Sequence, residues 1–301
     1  EIMPSLVGSE MCIRDRYGWF DKLIKSGVLG FRRSPFNVVL MHGFALDEKG
    51  REMHKSLGNF VSSDQAISYF GRDPFRLYVL NNTIWEDLKF SAKGIESILA
   101  DLHTLWNVYV FASIYMNLDK YSPVKYDEKR ILAKLKLEDR WVLSRLQGLI
   151  KEVTRYMEEY NIHLAVRSLR RFIIEDLSHW YIKLIRRRVW IEEEEDVKIT
   201  AYYTLYRVLK TFLVLLAPYT PFLCEEIYQK MFRNAEPDMP ISIHMLDWPR
   251  YDESLVDKEL EENMDIVSKI IEIGLSLSCL LYTSDAADEG LGVDLGGRRI
   301  I

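Results

Sequence analysis

The stretch FNVVLMHGFALDEKGREMHKSLGNF, residues 36–60, sets an apolar run directly against a charged loop punctuated by glycine. Valine- and leucine-rich runs of this length, bounded by polar residues, read as buried strands. Beyond the loop, Ser62 or Ser63 can cap a helix ahead of DQAISYFG. Strand, flexible loop and helix in that order commonly present ligand-binding groups at the edge of a parallel sheet. This order of elements predicts an α/β segment here, preceded by a helix in GWFDKLIKSGVLG with Phe20, Leu23, Ile24 and Val28 at helical spacing.

Within the loop, Lys55 is the best placed residue for a phosphate contact: its ammonium can follow a moving phosphate on a long stem, and Ser56 and nearby amides can add hydrogen bonds. Gly50 and Gly58 give the loop freedom to close and reopen. Taken alone, a solvated basic turn is the simpler explanation of the same residues. His54 has no partner at metal-ligand spacing and reads as a locally bonded loop histidine. His42, at the end of the expected strand, either faces a ligand or is a satisfied strand-end histidine, and the residues alone leave both open.

From residue 72 onward the pattern is helical. Asp73 and Pro74 suggest a cap and first turn, with Phe75, Leu77, Tyr78 and Val79 packed behind them. Ile95, Ile98, Leu99, Leu102, Leu105 and Trp106 form a second stripe. Val142, Leu146, Leu149, Val153 and Tyr156 form a third, and Ala165, Leu169, Phe172, Ile173, Leu177 and Tyr181 a fourth. These stripes carry no haem, flavin or metal signature and read as the core of a helical bundle. Expected boundaries are 17–60 for the end of the α/β part, 61–120 for a connecting helical region and 121–275 for the bundle.

The 301 residues are 48% hydrophobic and 28% charged with a formal net charge of −5, a composition that suits packed cores and excludes a disordered chain. The three cysteines, Cys12, Cys224 and Cys279, show neither metal-ligand spacing nor a disulfide framework, so no metal site is expected. No apolar run is expected to span a membrane, since LKTFLVLLAPYTPFL is broken by Pro218 and Pro221. Charge is uneven along the bundle. Arg167, Arg170, Arg171, Lys183, Arg186, Arg187 and Arg188 face only Glu175 and Asp176 before the acidic run at 192–196. Such a patch can meet a phosphate backbone while Trp180, Tyr181 or Trp190 stacks on bases; a charged helix face partly neutralised by the acidic run is the alternative.

Taken in order, YGWF (17–20), MHGFALDEKGREMHKSLGN (41–59), WEDLKFS (85–91), EDLSHWYIKLIRRRVW (175–190) and LLAPYTPFLCEEIY (215–228) resemble the class I aminoacyl-tRNA synthetases, and most of all the C-terminal part of the archaeal and eukaryotic-type isoleucyl branch. The valyl and leucyl branches, or a non-catalytic tRNA-binding helical module, are the alternatives. The resemblance implies the end of a Rossmann-type catalytic domain with its phosphate loop, followed by an α-helical anticodon-binding bundle. It implies a ligase that activates L-isoleucine with ATP and Mg2+ and passes it to tRNA(Ile), in the cytoplasm and as a monomer. The HIGH-type motif, the editing domain and any zinc site fall outside the resembling segment, so the chain alone is expected to be inactive.

Residue by residue, Glu52, Met53, His54, Lys55 and Ser56 occupy the family's KMSKS loop. Lys55 matches its second lysine, which contacts ATP and the charge developing on pyrophosphate. Glu52 replaces the first lysine and His54 the first serine, and Arg51 is a candidate for the lost charge. Gly18 and Trp19 match a segment near the adenylate pocket, with His42 and Gly43 as further neighbours. Arg170, Arg171, Trp180, Arg186, Arg187 and Arg188 are the candidate tRNA contacts. The ends, 1–16 and 278–301, carry no sustained period, and SEMCIRDR and CLLYTSDAADE resemble translated sequencing-adapter artefacts.

Overall fold

The computed structural model of the chain describes residues 18–54, 56, 58–190 and 195–291. The expected tail at 1–16, the far part of 278–301, Lys55 and most of the 192–196 acidic run lie outside those residues. The chain divides into two compact units, residues 1–43 and 44–301.

In the first unit, α1 spans Asp21–Phe31 and ends at Arg32, whose positive φ of 54° turns the chain while its N–H bonds Val28 O. Gly27 is the buried position of this helix: a Cβ there would lie 2.7 Å from Pro35 Cδ, so the returning chain packs against it only because it is glycine. The expected stripe is corrected here, since Ile24 and Val28 are exposed. The expected buried strand is corrected too. Val38, Val39 and Leu40 are exposed and outside any strand, because no described strand offers them the ladder that an extended backbone needs.

The second unit opens with β1, Ala45–Leu46, which pairs in parallel with β2, Leu88–Lys89, in the register Ala45↔Leu88 and Leu46↔Lys89. Between them α2 (Ser63–Phe70) starts on a capping box: Ser62 Oγ accepts from Gln65 N at 3.2 Å and Gln65 Oε1 accepts from Ser62 N at 3.1 Å. Next comes α3 (Arg72–Asn81). Asp73 does not cap it. Asp73 instead accepts from Leu223 N at 2.6 Å, in the first turn of a helix 150 residues away. Burial pushes its carboxyl up, and the Leu223 and Phe222 amides oppose that shift.

The helices that follow are α4 (Ala92–Leu118), the short α5 (Glu128–Leu132), α6 (Leu137–Glu158), α7 (Ile162–Arg171), α8 (Ile182–Trp190), α9 (Glu195–Leu216), α10 (Pro221–Ile227) and α11 (Lys258–Leu291). A π-helical stretch, Phe172–Tyr181, joins α7 to α8 into one continuous rod. One apolar cluster runs from Leu77 on α3 through α4, α6, the rod and α9 to Ile243, so residues on both sides of position 120 share a core. The third and fourth predicted stripes are buried along it except Tyr156, which is half-buried; on α4, Trp106 is exposed rather than packed.

Asp196–Leu216 is long and apolar enough to cross a membrane by length and composition alone, but 78% of its apolar window is buried inside the bundle, as in a core helix. α11 starts where Asp257 N donates to Ser144 Oγ at 2.9 Å and Arg140 pairs with Asp257 at 2.7 Å. Its backbone stays helical to Leu291, past the bundle end expected at 275 and into the tail expected from 278.

Candidate functional site

The loop at 47–59 is organised by two residues that the sequence reading passed over. Asp47 Oδ1 accepts from Lys49 N (3.0 Å) and Arg51 N (2.8 Å), which is the local turn chemistry of an aspartate. Its Oδ2 accepts from Arg51 Nε and from Asn59 Nδ2, each at 3.0 Å. The Asn59 side chain and then the Arg51 amide hold the Asp47 carboxyl far below the usual carboxylate range. Asn59 also donates to Glu52 O at 3.0 Å and accepts from His54 N at 3.0 Å. The two ends of the loop are thereby clasped across its neck. Gly50, at φ +77°, and Gly58, at φ +65°, supply the left-handed turns on either side of it.

This clasp decides the role of several candidates. Arg51 is tied to Asp47 (2.9 Å), so its charge is already matched within the neck. Glu52 and His54 are exposed and pair with each other at 3.1 Å. Met53 is half-buried, and Ser56 is exposed at the tip. Lys55 lies outside the described residues. Gly18, Trp19, His42 and Gly43 belong to the first unit; Trp19 and His42 are exposed, and His42 Nδ1 lies 2.8 Å from Gly43 O. A cue to Asp47 and Asn59 existed in the sequence, an aspartate three residues before a glycine and an asparagine straight after another. Their twelve-residue separation hid the pairing.

The arginines divide sharply. Arg188 is buried, donating to Glu138 (2.7 Å), to both oxygens of Asp139 (3.0 and 2.9 Å), to Val197 O (3.1 Å) and to Thr200 Oγ1 (2.8 Å). Burial opposes its charge, but the Asp139 and Glu138 carboxylates outweigh that and hold the guanidinium above its ordinary value. The expectation that Arg188 faces outward is corrected by this geometry. Arg170 is likewise turned inward, bonding Asp101 at 2.6 Å and Asn81 Oδ1 at 2.9 Å, which ties the rod to α3 and α4. Arg171 remains exposed with a loose 3.4 Å contact to Glu152. Trp180 is half-buried against the core with its indole N–H enclosed, which removes it from the exposed set.

What stays outward is one face of α8. Lys183, Arg186, Arg187 and Trp190 are exposed at i, i+3, i+4 and i+7, while Ile182, Ile185, Arg188 and Val189 fill the opposite face. Among the described residues, Arg186 and Arg187 make no ion pair. Asp196 of the acidic run is taken up by Lys134 instead. A face of three cations ending in an exposed indole is suited to a phosphate backbone with a stacked base. A separate cavity of about 640 Å³ lies beside α10, bounded by Arg72, Leu102, His103, Trp106 and Phe222, and accounts for the exposure of Trp106.

Two family models match the chain: the anticodon-binding domain of tRNA ligase over residues 139–277, and tRNA synthetases class I (I, L, M and V) over residues 10–91. The isoleucine–tRNA ligases of Methanocella arvoryzae and Methanothermobacter thermautotrophicus are 46% and 48% identical to it over 256 residues, 85% of the chain. That of Thermococcus kodakarensis is 45% identical over 260 residues. The chain spans about a quarter of the length of these curated relatives, 23–24%. Among solved structures, the Agrobacterium radiobacter LeuRS–tRNA–LeuAMS complex superposes with a TM-score of 0.59 at 20% identity, covering 78% of the chain and 27% of that protein. The Mycobacterium tuberculosis methionyl-tRNA synthetase bound by methionyl-adenylate gives 0.52 at 22% identity, covering 70% and 42%. These likenesses establish the fold: a segment of a class I synthetase catalytic domain followed by a helical anticodon-binding domain.

Proposed function

Because the chain belongs to the class I tRNA synthetases, we propose that it is the part of an isoleucine–tRNA ligase that carries the ATP phosphate loop and the anticodon-binding bundle. The observation that carries this reading is the 45–48% identity to isoleucine–tRNA ligases across 85% of the chain, with the clasped loop and the outward face of α8 both inside that span. The parent enzyme would let the isoleucine carboxylate attack the α-phosphorus of ATP, releasing pyrophosphate, and then transfer the aminoacyl group to tRNA(Ile). Neither step needs a covalent enzyme intermediate, so positioning and charge stabilisation dominate.

In this reading Lys55 and the loop amides receive the β- and γ-phosphates, Mg2+ accompanies ATP, and Gly50 and Gly58 are the hinges of closure. Lys183, Arg186, Arg187 and Trp190 receive the anticodon arm, with Arg171 at the margin. Arg188 and Arg170 act only by fixing the rod that presents that face. The cytoplasm is the compartment, and a monomer suffices for both steps. The test is a chimera in which residues 18–277 replace the matching region of the Methanothermobacter thermautotrophicus isoleucine–tRNA ligase. It should catalyse isoleucine-dependent ATP–pyrophosphate exchange, and Lys55→Ala should lower exchange by about 10²-fold. Exchange unaffected by Lys55→Ala would refute the loop assignment.

A further inference from the structure

The loop is one cation short: Glu52 stands where the KMSKS pattern has its first lysine, and Arg51, the neighbour able to replace it, is bound to Asp47 at 2.9 Å. A second observation supplies a different cation. Lys89 lies in β2, 37 residues beyond Glu52, and its side chain runs across the root of the loop. A Cβ built on Gly50 would lie 3.4 Å from Lys89 Cε and 3.8 Å from its Nζ. Among the described residues Lys89 has no carboxylate partner, and it is exposed. We propose that Lys89 is a phosphate-binding residue of this loop, taking the role vacated at position 52.

The backbone geometry places it for that task. Leu46 is flanked on one side by Lys89, its parallel partner, and on the other by Glu52, through an antiparallel bridge. Residues paired across a sheet point to the same face, so Lys89 and Glu52 project together, two strand spacings or about 10 Å apart. A lysine stem reaches on the order of 6 Å from its Cα, enough to put an ammonium beside a phosphate held over Leu46 and position 52. Lys89 is also firmly based. Tyr78 OH donates to Lys89 O at 2.7 Å and accepts from Ser91 N at 3.0 Å, while Phe90 N donates to Leu46 O at 2.8 Å. Gly94 leaves room for that tyrosine, since a Cβ there would meet its ring at 2.6 Å. Lys49, also exposed near the neck, sits in the turn itself, with its amide committed to Asp47.

The inference rests on the reading of residues 47–59 as a phosphate loop, and the experiment separates the two. The 301-residue chain is titrated with inorganic pyrophosphate and with ATP, following the amide resonances of Gly50 and Gly58. Lys89→Ala should weaken both ligands about tenfold, the loss of one charge-assisted contact; Lys89→Arg should stay within about twofold of the unsubstituted chain, and Lys49→Ala, a control for general charge, should do the same. Thermal unfolding of each variant checks that the Tyr78 contacts survive. Equal affinities for Lys89→Ala and Lys49→Ala would overturn the Lys89 assignment and leave the loop reading standing. Failure of the unsubstituted chain to bind either ligand would overturn the loop reading and Lys89 with it.

Discussion

Replacing Arg188 by methionine should destabilise the bundle severely without any RNA present. The guanidinium makes five hydrogen bonds to four residues, and one of these, Asp139, is fully buried. Asp139 also accepts from Tyr181 OH at 2.8 Å and from Lys136 N at 3.1 Å, so it cannot turn out to solvent without breaking the start of α6. Methionine fills most of the volume but leaves the carboxylate as a buried charge without its cation, which costs about 3–5 kcal/mol. For a domain of this size that is a fall of roughly 6–20 °C in Tm, at 2–4 °C per kcal/mol. Arg186→Ala and Arg187→Ala, on the opposite face, should each stay within about 0.5 kcal/mol. The assay is urea unfolding followed by far-UV circular dichroism, with Asp139→Asn as the companion variant. A double-mutant coupling below about 0.5 kcal/mol, or a loss below about 1 kcal/mol for Arg188→Met, would refute the buried cluster and return Arg188 to the surface.

Two further outcomes follow from other contacts. Asn59→Ala removes the clasp to Asp47, Glu52 and His54; it should raise amide exchange across residues 51–59 by at least tenfold while leaving the bundle's Tm unchanged, and unaltered exchange would contradict the clasp. His163 packs edge-on to Trp85 at 5.2 Å, and burial followed by Arg167 lowers its pKa below 6.5. Its neutral form is the stable one in the fold, so the stability it contributes is complete above pH 6.5 and is lost as pH falls through the depressed value. His163→Gln should flatten the decline in Tm on that acid side, and an unchanged pH profile would count against this.

The helical core was legible because its signal is local. Ala165, Leu169, Phe172, Ile173, Leu177 and Tyr181 repeat at three and four, and burial follows that period through the π-helical stretch without interruption. The same period fails in α1, where Ile24 and Val28 have the right spacing and nothing described in their own unit to bury them. It fails as well for Val38 to Leu40, since composition specifies an apolar strand but not the strand beside it. The direction a charged side chain takes is the least legible feature. IRRR at 185–188 looks uniform in sequence, yet the helical turn sends Arg186 and Arg187 outward and Arg188 in with Ile185 and Val189, toward a carboxylate 49 residues back. Asp73 shows the same limit: its position beside Pro74 suggests a local cap, and its partner is Leu223. Long-range polar pairs leave no periodic trace. Asp47 and Asn59, which shape the candidate site more than any predicted residue among those described, belong to that class.

Whether this bundle reads the anticodon arm of an isoleucine tRNA, as proposed, is decided by the affinity of the 301-residue chain for a tRNA(Ile) transcript and for the same transcript with its anticodon exchanged, across a salt series. The native anticodon should bind more tightly. The Arg186→Ala, Arg187→Ala double variant should keep its fold and lower the slope of log Kd against log salt by roughly 1.4 to 1.8, at 0.7 to 0.9 for each lost phosphate contact. Equal affinity for the two transcripts, together with an unchanged slope in the double variant, would rule out anticodon reading by this face.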